Sequence, residues 1–447
     1  MSRPTYPFDV TSRDVWRIAL PASVAFITEP LAGLADITVV GRLGDAAMLG
    51  GVVIGALIFD FIFSLAYFLR IGTAGLTAQS VGSRDPLDGM LHAARALGIG
   101  VIAGVAMIAL QVPLLWLGTS AMAPSADVSA AFAEYFHVRI WSAPFSLINY
   151  ALLGWFYGRA AATTGMLLQV LIHGVDIVLS VWFVWGFGLG ITGAALGTVA
   201  GQAVAAIVGL SLFVRHFGGL RKVAAQLRLA DLLESAALRR MFGLSRDLMI
   251  RSIALMSAYA YFAAQGSRMG EVPLAANAVL LNLLMIGAFF LDGIAQAAEQ
   301  LCGKAVGGNW KPAFDRAYAL SFQWGLGIAA GLALLWAIGG WWLIDFMTTN
   351  EDVRNYARGF LWLAALAMFT SMPGFLYDGI LTGVTLNVVM RNGMLISLLV
   401  FLAAALLLQP LLGNTGLWVS LHAWFLARAG IYWWALERRR AGLFAPA

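Results

Sequence analysis

The sequence predicts an all-α integral membrane protein with twelve transmembrane helices in two six-helix lobes, and three observations carry that prediction. Hydrophobic residues make up 61% of the chain and charged residues 11%, with a mean hydropathy of +0.82; soluble domains carry roughly 25% charged residues. Apolar runs of about 18 residues or more recur along the full length, each long enough to cross a ~30 Å hydrocarbon core as a helix. The strands of a membrane barrel would alternate apolar and polar positions instead. Three short motifs also recur in the same order some 220 to 225 residues apart: GLTAQSVGS (75–83) with QLCGKAVGG (300–308), GWFYG (154–158) with GFLYD (374–378), and GITGAALG (190–197) with GNTGLWVS (413–420). Ordered self-similarity of this kind marks a duplicated unit. Both copies keep the same orientation, so the repeat is parallel, about an axis along the membrane normal, and two bundles around a central cavity are expected.

The first span, near 15–40, is an apolar run interrupted by Pro30 and carrying Asp36 deep inside it. It lacks a small-residue cleavage site and exceeds signal-peptide length, so it is read as a retained first helix. The glycine and charge break at Arg42 to Asp45 separates it from the second span, near 46–70. The charge cluster Arg84 to Asp88 precedes the third, near 92–117, and Pro124 precedes the fourth, near 128–157. Arg159 and the glycine-rich turn at Gly186 to Gly190 bound the fifth, near 164–186, and the sixth runs near 190–214. After a basic stretch, Arg215 to Arg246, the pattern restarts with spans near 241–265, 272–300, 314–344, 353–378, 386–411 and 416–437. That stretch divides the chain almost in half and is the natural linker, with a short amphipathic helix expected on the cytoplasmic face. The domains are read as an N-terminal six-helix lobe, 1–214, a cytoplasmic linker, 215–240, and a C-terminal six-helix lobe, 241–447.

Charge fixes the orientation. With both termini cytoplasmic, the inside segments collect most of the Arg and Lys residues, from Arg3, Arg13 and Arg17 to the run Arg438 to Arg440, while the outside loops hold Arg42, Arg268, Arg354 and Arg358. The positive-inside rule selects that topology, and it accounts for the net charge of +5 without nucleic acid as a partner. Cys302 is the single cysteine, so neither an internal disulfide framework nor a multi-cysteine metal cluster is expected. The five histidines show no metal-ligand spacing. Gly188, Gly190 and Gly193 form a G-x-G-x-x-G string, but it joins two membrane helices and lacks the strand and helix of a dinucleotide site. With no clustered catalytic constellation, the chain does not read as an enzyme.

What stands out instead is acid within the membrane. An ionisable side chain at that depth costs a few kcal/mol or more and usually faces the bundle interior or a wet cavity. Asp36, Asp176, Asp292 and Asp378 are the candidates, with Glu29 and Asp60 as weaker ones. His173 lies three residues before Asp176, on the same helical face, where it serves either as a proton relay or as a structural partner. Asp292 reads equally as a second cation site in the C-terminal lobe or as half of a structural ion pair, and Asp378 as a helix-end residue. Facing carboxylates titrate as one unit, so if Asp36 and Asp176 face each other they could load a proton on one side of the membrane and release it on the other. Arg70 and Arg251 are expected to pair with nearby acids, Asp247 among them. The interfacial belts of such proteins suit Trp341, Trp342, Trp433 and Trp434.

Four stretches carry a family resemblance: LPASVAFITEPLAGLADITVVGRLG (20–44), FLRIGTAGLTAQSVG (68–82), SRDLMIRSIALMSAYAYFAAQGSRMG (245–270) and LDGIAQAAEQLCGKAVGG (291–308). They resemble the signatures of MATE-family (multidrug and toxic compound extrusion) exporters of the DinF-like branch, over all twelve spans in order. The resemblance implies the MATE fold, two lobes around a V-shaped cavity, and export of organic, often cationic or amphipathic compounds in exchange for protons or sodium. It places the family's first-helix acid on Asp36, its fifth-helix partner on Asp176 and an assisting polar residue on Asn149. Ile172 departs from the pattern, standing where many relatives carry Asn. The expectation is therefore an H⁺-coupled antiporter in a bacterial inner membrane, monomeric, with no cofactor beyond the coupling ion and small organic solutes and the lipid bilayer as its partners. Asp36 carries the coupling and Pro30 the bend through which its protonation acts. Na⁺ coupling and a lipid-linked precursor flippase on a related fold are the alternatives.

Overall fold

The computed structural model describes residues 4–444. Arg3, counted above among the inside cations, lies outside the described residues, as does the side chain of Arg240. Every regular element among the described residues is helical. The first half of the chain holds α1 (Ser12–Gly41), α2 (Ala46–Ala66), α3 (Phe68–Gly82), α4 (Pro86–Ala109), α5 (Gln111–Met122), α6 (Ala126–Arg139), α7 (Ala143–Gly158), α8 (Ala162–Val181) and α9 (Gly190–His216). Two short helices follow, α10 (Leu220–Gln226) and α11 (Leu229–Leu232), and then α12 (Ser235–Arg268), α13 (Glu271–Gly307), α14 (Lys311–Met347), α15 (Glu351–Gly383), α16 (Asn387–Leu412) and α17 (Asn414–Arg440).

Nine helical segments among the described residues are long and apolar enough to span a membrane. The other three spans are α6 with α7, α12 and α17, and each is broken or more polar than the rest. Prolines set two of the breaks. Pro144 stands in the first turn of α7, after the 3₁₀ turn Ile140–Ser142, and its ring cannot continue a helix whose carbonyl four residues back is Ile140. Pro113 does the same to Ala109 and divides the third span at Leu110. The second span is longer than its hydropathy suggests. Its helix runs as far as Gly82, because the polar tail bearing Thr73 and Thr77 is buried in protein, not exposed to lipid. Several helix starts are capped by side chains: Asp45 accepts from the amides of Ala47 and Met48 at 2.8 and 3.1 Å, Asp85 from Asp88 at 3.0 Å, and Asn350 from Val353 at 3.1 Å. Each such cap contributes about 1 kcal/mol.

The duplication is written into the helix crossings. Gly154 and Gly158 of α7 lie so close to the carbonyl oxygens of Arg70 and Ala74 on α3 that a Cβ would collide with them. Gly379 and Gly383 of α15 meet the carbonyl oxygens of Ala295 and Glu299 on α13 in the same way, each residue 225 positions further on. The close crossing therefore pairs GWFYG (154–158) with GILTG (379–383), five residues beyond the aromatic string GFLYD to which the sequence comparison had matched it. What the repeat keeps is the small-residue spacing that lets two membrane helices approach, not the aromatic residues between.

The chain forms two compact units, one of Val24–Ser80 and Asp85–Phe242, the other of Met1–Ser23, Val81–Arg84 and Gly243–Ala447. Helices α1 and α3 contribute to both. Within the second unit, Gly293 of α13 abuts the Ser23 side chain and the Ala19 carbonyl, and Gly82 abuts the Lys304 carbonyl. There the Tyr6 amide also donates to the Gly308 carbonyl at 2.8 Å, and the Lys304 ammonium lies 4.1 Å from the Phe8 ring centre.

Candidate functional site

In the first unit, α1, α6, α8 and α9 bring charged and hydroxyl side chains together in a protein-lined interior. Asp36 on α1 is 6% exposed and Asp176 on α8 is 5% exposed. The two are electrostatic neighbours, with Arg139 as the cation beside both. Ser180, one turn beyond Asp176, donates to Asp176 Oδ1 at 3.2 Å and also reaches Asp36. Thr198 of α9 supplies Asp176 with a second hydroxyl. Asp36 Oδ1 has no hydrogen-bond partner among the described residues. Leaving such an atom buried and unpaired carries the full cost of its desolvation.

Local packing explains why α8 and α9 can present these groups. Gly201 of α9 rests on the Ile172 carbonyl and on Asp176, and Gly197 rests on Ser180, in each case with no room for a side chain. The helices approach closely enough for the hydroxyls of Ser180 and Thr198 to serve the Asp176 carboxylate. Ile172, the departure from the family pattern, is buried beside this crossing, and the polar support of Asp176 comes from the Ser180 hydroxyl one turn away and the Thr198 hydroxyl across the crossing.

Arg139 is the residue that the sequence analysis passed over. It closes α6 with its Nη1 donating to the Tyr135 hydroxyl, and its guanidinium lies 5.2 Å from the Phe59 ring centre. It makes no direct ion pair with Asp36 or Asp176 among the described residues, and its Nε has no partner there. Its charge is thus felt by the carboxylates and by Asp60 without being spent on any one of them. The signal was present in the sequence: a lone arginine inside an apolar span, which carries the same meaning as an intramembrane acid.

The other predicted residues fall at varying distances from this pair. Asn149 on α7 donates to the Gln202 backbone and side-chain oxygens at 2.9 and 2.8 Å, and its own Oδ1 is buried without a partner among the described residues. His173 is half-buried and makes no hydrogen bond or ion pair with Asp176 among the described residues. Pro30 sits in α1, which stays helical through it; the missing N–H leaves the Phe26 carbonyl without its helical donor. Glu29 neighbours Asp60 and Arg70, and the Arg70 guanidinium lies 4.7, 5.1 and 5.0 Å from the ring centres of Phe26, Tyr67 and Tyr157. Asp292 belongs to the other unit, on α13, as an electrostatic neighbour of Tyr259.

The second unit treats its central acid differently. Asp378 accepts from Arg251 through both carboxylate oxygens, with Nε to Oδ1 at 3.3 Å, and Arg428 Nη1 stands 3.7 Å from Oδ2. Arg251 therefore pairs with Asp378, not with Asp247, which is engaged by Arg391 at 2.7 Å and Arg246 at 3.2 Å. Asp378 is also no helix-end residue, since α15 continues to Gly383. A carboxylate held by two guanidiniums has little call for a further cation. The Asp36 and Asp176 pair, with one shared arginine and an unsatisfied oxygen, can take up a proton.

The profile of the MatE family matches residues 21–182 and again 248–407, once in each repeat. The chain is 34% identical over 436 residues to DNA damage-inducible protein F of Escherichia coli (strain K12), covering 96% of this chain and 93% of that protein. It is 20% identical to multidrug export protein MepA of Staphylococcus aureus (strain MSSA476), covering 90% and 88%. A crystal structure of MATE in the straight conformation superimposes with a TM-score of 0.86 at 19% identity, covering 97% of this chain and 96% of that one.

Proposed function

The chain belongs to the MatE family, a family of multidrug efflux transporters, and from that premise we propose that it exports organic, cationic or amphipathic compounds in exchange for H⁺. Asp36 and Asp176 are the coupling pair. The reading is supported above all by Asp36 Oδ1, buried without a partner beside a second carboxylate. With the pair deprotonated, the unit around it holds substrate. A proton entering from outside cancels one negative charge, and α1 bends at Pro30, where one helical hydrogen bond is already missing. The substrate site then closes. The proton drives this step only through the different proton affinities of the two conformations. Asn149 positions α7 against α9 through Gln202 in this scheme. The two lobes, 1–214 and 241–447, move about the linker at 215–240. The protein works as a monomer in a bacterial inner membrane with both termini cytoplasmic.

H⁺ suits the site better than Na⁺. The Arg139 charge opposes either cation, but a sodium ion would also need a shell of several oxygens, whereas a proton binds to a single oxygen. The test is efflux from proteoliposomes with a pH gradient and a sodium gradient imposed separately. Export should follow the pH gradient in the wild type and be lost in Asp36→Asn. Efflux driven by sodium alone would replace the proton, and unchanged efflux in Asp36→Asn would remove Asp36 from the mechanism.

A further inference from the structure

In the second unit, the ends of α12 and α16 border an open cavity of about 340 Å³ lined by residues that include Tyr261, Gln265, Arg268, Leu406 and Gln409. That volume is within the range of small-ligand sites. Two features of its lining point to a ligand. Gln265 is 8% exposed and makes no hydrogen bond among the described residues, so this lining residue has its amide donors and acceptor unused. Arg268 closes α12 at the mouth, is exposed, and has no ion pair among the described residues; the lining holds no Asp or Glu at all. A cavity with one fixed positive charge, two glutamine amides and no acid selects an anion that accepts hydrogen bonds.

The position of the cavity says which anion. Arg268 is the last residue of α12 and Gly413 follows the end of α16, so the cavity lies at the end of both spans, at the depth of the lipid headgroups. Its rim is apolar: Leu406 is 67% exposed, and Leu407 and Leu411 beside it are 69% and 79% exposed, a surface that acyl chains would cover. We propose that this cavity is a phospholipid site, in which the phosphodiester of a membrane lipid is held by Arg268, Gln265 and Gln409 while its chains lie over Leu406 and Leu407. An exported organic cation would meet the Arg268 charge with no carboxylate to offset it.

Native mass spectrometry of the full chain released from phosphatidylglycerol nanodiscs tests the site. The wild type and Arg268→Lys should retain a bound lipid, whereas Arg268→Glu and Gln265→Leu should retain about tenfold less, the loss expected for a hydrogen bond to a charged group. Arg268 is exposed, so Arg268→Glu keeps the test intact should Gln265→Leu fail to fold. Inorganic phosphate added to detergent-solubilised protein should not be retained. Equal lipid retention in wild type and Arg268→Glu would overturn the proposal, and retention of inorganic phosphate would make the occupant a free anion instead.

Discussion

In the unit that carries α8, Asp36 and Asp176 lie beside each other with the Ser180 hydroxyl between them and Arg139 standing off, whereas in the unit that carries α15, Asp378 is gripped by Arg251 and approached by Arg428. The two repeats share their helix crossings to the residue, Gly154 and Gly158 in one and Gly379 and Gly383 in the other. Their polar interiors have nonetheless diverged. Carried forward by the same 225 positions, Asp36 and Asp176 fall at Tyr261 and Phe401, which meet edge to face at 5.7 Å. A duplicated scaffold thus holds two acids together in one copy and an aromatic pair in the other. The first arrangement sets two carboxylates beside one arginine; the second is an aromatic contact, worth about 0.5–1.5 kcal/mol beyond its buried area.

This contrast is open to direct attack. The largest effect is expected in the second unit, where Arg251→Ala with Arg428→Ala strands Asp378 and should cost about 3–5 kcal/mol, read as a lowered thermal midpoint in detergent. A midpoint within error of the wild type would mean that the ion pair is not structural. Next come Gly154→Ala and Gly379→Ala. Each drives a methyl group into a helix backbone and should cost about 1–3 kcal/mol, by similar amounts if the two crossings are true copies; a cost confined to one of them would break the equivalence. Ser180→Ala should cost about 1 kcal/mol through the loss of one hydrogen bond and leave the protein folded. Smallest of all is the stability change on Asp36→Asn, which removes a buried charge that no ion pair holds. Its midpoint should stay the same or rise even as export is lost, and a large fall would show that Asp36 is structural.

The membrane class and the two six-helix halves were legible because apolar length and motif order are properties of the chain itself. Asp36 and Asp176 were legible for the same reason, since an acid in an apolar run needs no structure to be conspicuous. Arg139 escaped because it closes α6 just before the break at Pro144 and was absorbed into a single long span. Ser180 and Thr198 could not have been found, as hydroxyls occur throughout membrane helices and only the approach of α8 to α9 turns them towards Asp176. Arg251 chose a partner 127 positions away over the acid four residues before it, a decision made by tertiary packing. The five-residue error in matching GWFYG arose because aromatic residues catch the eye while the pair of glycines carries the contact.

The central claim is that Asp36 and Asp176 hold a proton which substrate displaces. Substrate added to the purified protein in weakly buffered detergent solution, with a pH indicator present, measures that exchange directly. The account predicts protons released in proportion to substrate bound by the wild type, and none released by Asp36→Asn. Equal release from both proteins, or substrate binding by the wild type without release at any pH, would contradict it.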